Sequence, residues 1–322
     1  MHLENVGAYR TDKGRAVFDL NDFDDASIGP LYLDVLRLST SVLLAGRTFK
    51  STGAEAIEMV HGLIGAYLKG ARGEAAPPRP PRIAEMMSKA ESRSQRELLD
   101  GRAPLGAGGR RRFVRGDRYL DIPKDLAGMV PALVQGYTAA LGDRAPARAS
   151  EWTVEDMALR VAGTGSLGVI RIAALVRDRS GSERIVELKE ARESSTDALA
   201  PPAQVKWGSS AERVVFAARA LVAEPPRQIA PVVVSDVPFA ARKLFPQEDK
   251  LKLDSLHTGP KLDAVVQTIG HLVGVAHARG ALEPTGSPWS PDEVAALVDH
   301  AIEMAGILEG AYLAYSRLDH DG

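Results

Sequence analysis

The chain contains no cysteine, which excludes disulfides, thiolate metal sites and cysteine nucleophiles and suits a reducing, cytoplasmic setting. No apolar run approaches the roughly 18 residues of a membrane span, and the N-terminus lacks the layered charge and apolar order of a signal peptide. Neither sign of charge dominates: 40 Lys and Arg against 42 Asp and Glu leave a formal charge of −2. Bulk attraction to nucleic acid or to an anionic membrane is therefore not expected. Metal-ligand histidine spacing is missing too. His61 and His257 stand apart, and His271 and His277 fall off a common helix face, so all four read as structural. No internal repeat is visible. What is present is ordinary for a globular protein: 322 residues, 45% hydrophobic and 25% charged, enough for one large or two ordinary domains with a proper core.

One stretch departs from that background. In Phe18–Arg37, FDLNDFDDASIGPLYLDVLR, the carboxylates of Asp19, Asp22, Asp24 and Asp25 crowd beside Val17, Phe18 and Leu20, and a Gly29-Pro30 turn leads into an apolar helix pattern carrying Asp34. Carboxylates in apolar company are costly unless a cation or a set of donors compensates them. A hard divalent cation with oxygen ligands does so, and His2-Leu3-Glu4-Asn5 just upstream offers a neutral oxygen to the same ion. The stretch reads as half of a phosphoryl-transfer site.

Taken in order, residues 1–24 read as a loop, a turn at Thr11–Gly14 and a strand at Ala16–Leu20. Apolar residues recur at helical spacing over Leu31–Arg47 and Gly53–Lys69, the proline-rich Gly70–Arg82 breaks the pattern, and helices are expected at Ile83–Leu99 and Pro123–Leu141. The main boundary is set at the polar linker ending near residue 150. Beyond it, Asp156–Ala162, Val169–Arg177 and Arg184–Leu188 read as three sequential antiparallel strands. Ser209 or Ser210 caps an amphipathic helix, two more strands follow at Ala230–Val234 and Phe239–Leu244, and long helices return from Lys261. The expected fold is α+β, with residues 1–150 a helical lobe, 151–258 a small antiparallel sheet and 259–322 helices packing back on the helical lobe.

Gly163-Thr164-Gly165-Ser166-Leu167-Gly168 fits G-x-G-x-x-G, a weak signal alone. In a dinucleotide-binding fold such a loop opens a helix. Here VIRIAALVRD continues as a strand, the arrangement of a kinase-type hairpin folded over nucleotide phosphates. Gly163, Gly165 and Gly168 let the backbone approach, and Ser166 adds a donor. The next strand, IVELKEA, carries Lys189 where a kinase-type lobe puts the lysine that reaches the phosphates. The following helix offers Glu212 as its ion-pair partner, with Glu190 pointing to the opposite face.

GTGSLG, LKEA, AERVV and RKLFPQEDKL occur in the order of a widespread bacterial family of unknown function, whose members also carry a GD-x-H-x-x-N-x-G motif, a NDFDE-like motif and a GP-x-x-x-D helix. HLENVG, NDFDD and GPLYLDVLR are the counterparts here, and the resemblance covers nearly the whole chain. The family's N-terminal motifs are in turn similar to the catalytic loop and metal-binding segment of aminoglycoside phosphotransferases and protein kinases. That resemblance implies magnesium held by Asn5 and Asp22, with Asp24 a further ligand and Asp34 a structural carboxylate bracing the loop. It also implies a kinase-like two-lobed fold in circularly permuted order, because the metal half precedes the glycine loop and lysine. The motif's catalytic aspartate would fall immediately before Met1, so the sequence is expected to be N-terminally truncated and impaired in transfer.

The implied function is an ATP- and Mg2+-dependent phosphotransferase acting on an unidentified small-molecule or protein acceptor. Its alternative is a nucleotide-binding pseudokinase or scaffold, and a weaker third reading is a metal-dependent hydrolase using Asp19–Asp25 without nucleotide. Arg110, Arg111, Arg112, Arg115 and Arg118 form a dense basic run, read as a solvated loop or as a patch steering a phosphorylated substrate. Arg242 and Asp249 belong to the family signature without an assigned role. Trp152, Trp207 and Trp289 read as packing residues.

Overall fold

The computed structural model describes residues 1–161, 168–197, 205–245, 249–251, 259–281 and 289–318. Helices and antiparallel sheets alternate in blocks. The N-terminal strands β1 (Val6–Arg10) and β2 (Ala16–Leu20) are followed by α1 (Leu31–Thr48), α2 (Gly53–Ala71), α3 (Pro81–Ser92) and α4 (Gln95–Arg102). A short β3 (Tyr119–Leu120) and α5 (Lys124–Leu141) lead to β4 (Thr153–Arg160), β5 (Arg171–Arg177) and β6 (Glu183–Glu190). Then come α6 (Ser210–Ala220), β7 (Ile229–Val234), β8 (Val237–Lys243), β9 (Asp249–Lys250), α7 (Pro260–Gly280) and α8 (Pro291–Tyr315).

The helix starts follow from local chemistry. Thr52 with Glu55, Ser94 with Glu97 and Ser290 with Glu293 form reciprocal capping boxes at α2, α4 and α8, each satisfying amides that the first turn leaves without partners. Ser209 caps α6, its Oγ accepting from the amide of Glu212 at 3.3 Å. Helix α2 ends in a turn through Gly73, whose φ of +73° favours glycine and lets the Glu74 amide donate to the Lys69 carbonyl at 3.0 Å, and Pro81 starts α3 at a position where no amide is needed.

Two sheets result, both antiparallel: β2-β1-β9, and a six-stranded sheet in the order β3-β4-β5-β6-β8-β7. The second exceeds the five expected strands by β3, which pairs Tyr119 with Arg160 and Leu120 with Leu159. Strand β1 occupies residues expected to be loop. VGAYR is too short and glycine-containing to declare itself, yet it pairs residue for residue with β2 from Val6↔Leu20 to Arg10↔Ala16.

The hydrophobic clusters divide the chain differently from the sequence reading. One joins β1, β2, α1, α2, α3, α7 and α8 through Leu3, Val35, Leu38, Leu63, Ile83, Ile269, Val273 and Leu297. A second packs Leu133, Val134 and Tyr137 of α5 against one face of the six-stranded sheet. A third packs Leu98, Leu99, Phe113 and Tyr119 against Ala173, Leu175 and Ile185 on the other face. Residues 95–150 thus belong with the sheet, and the boundary set at residue 150 moves to the turn between α3 and α4. The helices of 95–141 carry apolar faces like any others, and nothing in their pattern says which layer they cover.

Helices α2 and α7 approach closely because three glycines leave room for backbone. A Cβ on Gly274 would come within 2.1 Å of the Tyr67 carbonyl oxygen, one on Gly270 within 2.3 Å of that of Leu63, and one on Gly70 within 2.2 Å of that of His271. Gly65 on α2 faces open space. Gly274→Ala is therefore expected to lower stability by about 3 kcal/mol, since no rotamer change relieves a clash with backbone. Gly65→Ala is expected to raise it by about 0.5–1 kcal/mol through helix propensity. Equilibrium urea unfolding of the two variants beside the parent chain tests the contrast.

Candidate functional site

The β1–β2 hairpin sets the first half of the site. Its register ends at Val6↔Leu20, and the Asn21 amide donates to the Asn5 carbonyl at 3.1 Å. The residues just outside the ladder, Asn5 and Asp22, therefore become neighbours although a full hairpin separates them. Asn5 Nδ2 donates to Asp22 Oδ2 at 3.4 Å, and Asn5 Oδ1 accepts from the His2 amide at 2.7 Å. Both residues offer oxygens at the mouth of the hairpin.

The second half comes from the six-stranded sheet. Alternation along β6 puts Glu187 and Lys189 on one face, and the register sets Lys189 between Arg171 on β5 and Ala240 on β8. The Lys189 ammonium, 14% exposed, forms an ion pair with Asp24 Oδ2 on the turn after β2. Segments far apart in the chain thereby meet, and the amine sits beside the turn that carries Asp22. The neighbouring face is strongly cationic. Glu187, 1% exposed, lies among the guanidinium groups of Arg160, Arg171 and Arg242, with Arg242 NH2 at 3.0 Å and Arg171 Nε at 3.4 Å. Arg242, without a role in the sequence reading, is a partner of this buried carboxylate.

The acidic turn is held in place by residues that sequence reasoning did not single out. Arg213 on α6, 4% exposed, donates to the Asp24 carbonyl at 3.0 Å and to the carbonyls of Ala26 and Arg192. Ser194 Oγ donates to the Asp25 carbonyl at 2.8 Å, the Ser195 amide donates to Asp25 Oδ1 at 3.1 Å, and Thr196 Oγ1 shares a hydrogen bond with Ser27 Oγ at 2.8 Å. The signal was there: Arg213 falls on the apolar face of α6 among Ala211, Val214, Val215 and Ala218, where a guanidinium needs acceptors. Burial lowers its pKa, a shift that leaves an arginine charged.

Other sequence expectations change. Glu212 does not pair with Lys189. It is exposed, accepts from the Gly208 amide at 2.9 Å and lines a groove with Trp207 and Phe216. Glu190 turns to the Ile170 amide at 2.8 Å and to Arg192 at 3.0 Å. Gly163, Gly165 and Ser166 lie outside the described residues. Gly168 has the left-handed φ of +77° that favours glycine, and its carbonyl accepts from Arg192. The basic run is structural in large part. Arg111, 7% exposed, bridges Asp100 at 2.6 Å and Glu183 at 2.9 Å, and Arg115 bridges Asp121 at 2.9 Å and Asp156 at 3.1 Å.

The four clustered carboxylates do not converge. Asp19 is buried and accepts from the amides of Leu20 and Ala223, both at 2.8 Å; burial raises its pKa against those hydrogen bonds. Asp22 faces Asn5, Asp24 faces Lys189 and Asp25 faces Ser195. Among the described residues no group of three or more His, Asp or Glu side chains is arranged to hold a metal ion. Asp34 braces the helical side: its carboxylate lies 3.4 Å from His277 Nε2 and 3.3 Å from the Met1 amine. Burial acts to raise its pKa, but those two partners outweigh it and hold it at about 2.

The docking of the turn depends on Arg213. Arg213→Met preserves the apolar stem and removes the donors, leaving the carbonyls of Asp24, Ala26 and Arg192 without their partner. The expected loss is about 3 kcal/mol. Amide hydrogen exchange should show faster exchange at residues 22–27 and 192–196, with β4 and β5 unchanged.

The model of a family described as an uncharacterized protein conserved in bacteria (DUF2252) matches residues 1–317. No curated protein and no solved structure matches the chain. With nearly its whole length matched, the chain belongs to that bacterial family.

Proposed function

We propose that the junction between the β1–β2 hairpin and the six-stranded sheet is a nucleotide-phosphate and magnesium site of the phosphotransferase type, set in a kinase-like, circularly permuted two-lobed fold. The observation that carries the reading is the ion pair between Lys189 and Asp24. It joins the cationic face of the sheet to a segment in which oxygen donors crowd at a strand end. Two opposite charges held against each other form a site that exchanges partners. A polyanion takes the ammonium, a hard cation takes the carboxylate, and neither charge is left uncompensated.

By donor type Asn5, Asp22 and Asp24 would suit magnesium as an oxygen-only set, which they would form only once Asp24 leaves Lys189 and Asn5 turns its amide oxygen from His2 toward the ion. Magnesium bound there would neutralise charge on phosphate oxygens, the main demand of phosphoryl transfer. Lys189 would hold the phosphates from the sheet side. Arg213 and Ser194 would keep the acidic turn in register with Lys189, and Asp34 would brace the helical side beneath Asn5. The acceptor is not identified by these residues, because fold and site do not fix a substrate.

A second reading, nucleotide binding without transfer, draws support from Glu212. Its carboxylate rests on Gly208, leaving Lys189 committed to Asp24. Isothermal titration of the chain with ATP, with and without Mg2+, tests the site. ATP is expected to bind with Mg2+, and Lys189→Ala to weaken it at least tenfold, the scale of losing a charge-assisted hydrogen bond. Asp24→Asn is expected to tighten metal-free binding and to reduce the gain from Mg2+. Unchanged affinity in Lys189→Ala counts against the reading. Release of γ-phosphate to any acceptor separates the transferase from the binding-only alternative.

A further inference from the structure

Strand β7 closes one end of the six-stranded sheet. Among the described residues it pairs only with β8, from Ile229↔Arg242 to Val234↔Val237. Three observations fix which of its main-chain groups point away from β8. The Lys243 amide donates to the Gln228 carbonyl at 3.1 Å, so in an antiparallel ladder every second pair beyond it, Ala230↔Ala241 and Val232↔Phe239, exchanges hydrogen bonds. Pro231 and Pro238, which have no amide, fall in the pairs between, with Ala240 and Val233. The closing turn, Ser235-Asp236, has φ of +50° and +61°, as a two-residue hairpin turn requires after the bonded pair Val234↔Val237. Ile229, Pro231 and Val233 therefore turn their main-chain groups outward. The Ile229 carbonyl is taken by Arg144 at 3.0 Å and by Arg219. The Pro231 carbonyl and the amide and carbonyl of Val233, a residue 52% exposed, have no main-chain partner among the described residues.

An apolar groove of about 420 Å³ adjoins this strip. Glu212, Val215 and Phe216 line it from one face of α6, Pro231 lines it from β7, and Trp207 completes it. The rings of Trp207 and Phe216 lie 5.0 Å apart, and Phe216 is 42% exposed. Outward main-chain groups on an edge strand are a template for another strand, and a neighbouring groove gives the alternate side chains of that strand a pocket. Here the two coincide. In a strand laid antiparallel along β7, the side chains opposite Pro231 and Val233 share the face of Pro231 and so reach the groove. Charge narrows the choice further, because Glu212 on the groove and Asp236 in the turn beyond Val233 favour a basic residue.

We propose that the edge of β7 and the groove beside it bind an extended peptide segment of a partner protein, added as a further strand, with an apolar side chain between Phe216 and Pro231 and a basic residue near Glu212. A second copy of this chain fits less well. Its own β7, IAPVVV, carries no basic residue, and Pro231 offers no amide to an opposing strand.

Panning a random peptide library displayed on phage against the full chain tests the proposal, independently of the reading of the nucleotide site. Peptides that combine alternating apolar residues with a Lys or Arg are expected to be enriched. Made synthetically and labelled, they are expected to bind Val233→Pro about tenfold more weakly by fluorescence anisotropy. That substitution deletes one outward amide, in a kind of ladder position that Pro231 and Pro238 already occupy. Phe216→Ala, at a side chain already exposed, is expected to weaken binding by a similar factor, and Glu212→Lys to weaken the basic peptides. Amide exchange at Val233 should slow when peptide is bound. No enrichment over an unrelated bait, affinity indifferent to both Val233→Pro and Phe216→Ala, or an unchanged Val233 amide overturns the proposal. Sedimentation of the chain alone as a dimer that Val233→Pro dissociates also overturns it, in favour of pairing between copies.

Discussion

Carboxylates crowded at the end of an apolar strand must be compensated, and the structure is arranged around how that is done. Asp22 meets Asn5 on its own side of the join. Asp24, Asp25 and the turn's own carbonyls are met from the other half of the chain: by the ammonium of Lys189 on β6, the Ser195 amide in the segment after it, and the guanidinium of Arg213 on α6. The requirement binds the two halves of the chain more specifically than apolar contact does, since hydrophobic burial is non-directional and a buried guanidinium demands particular acceptors. It also leaves charge at the join that can change partners, which is the property a phosphate and metal site needs.

The remaining architecture serves to hold that join. The β1–β2 hairpin fixes Asn5 beside Asp22, while β9 pairs with β1 through Gly7↔Lys250 and Ala8↔Asp249. The chain therefore returns from the sheet directly to the hairpin. Beneath it, the glycine-lined approach of α2 and α7 brings His277 to Tyr67 at 3.1 Å and to Asp34 at 3.4 Å. Trp289 stacks on Tyr67 with ring centroids 5.3 Å apart, which ties the start of α8 into the same polar and aromatic network.

Much of this was legible in the sequence, and the parts that were not share a cause. Strands β4, β5 and β6 announced themselves through β-branched runs and turn residues. The acidic segment and Lys189 each stood out as charge in apolar company, although the partner expected for Lys189 was Glu212 and the structure pairs it with Asp24. Strand β1 was missed because its five residues carry no alternation until a partner supplies the ladder. The placement of residues 95–150 was missed because an apolar face specifies that it is buried, not against which layer. Glu212 was misassigned for a related reason: helical spacing sets where a residue stands on its helix, while the distance from that helix to Lys189 is a tertiary quantity. Arg213, one position along, carried the better clue, a guanidinium on an apolar face.

The join itself is open to direct measurement. A double-mutant cycle between Lys189→Met and Asp24→Asn, read by equilibrium unfolding without nucleotide, isolates the contact from everything else that either substitution changes. With Lys189 14% and Asp24 41% exposed, solvent screening limits the coupling to about 1 kcal/mol. Coupling of that sign and size is expected if the two segments share one junction. Additive losses would contradict it, and the shared site would go with it.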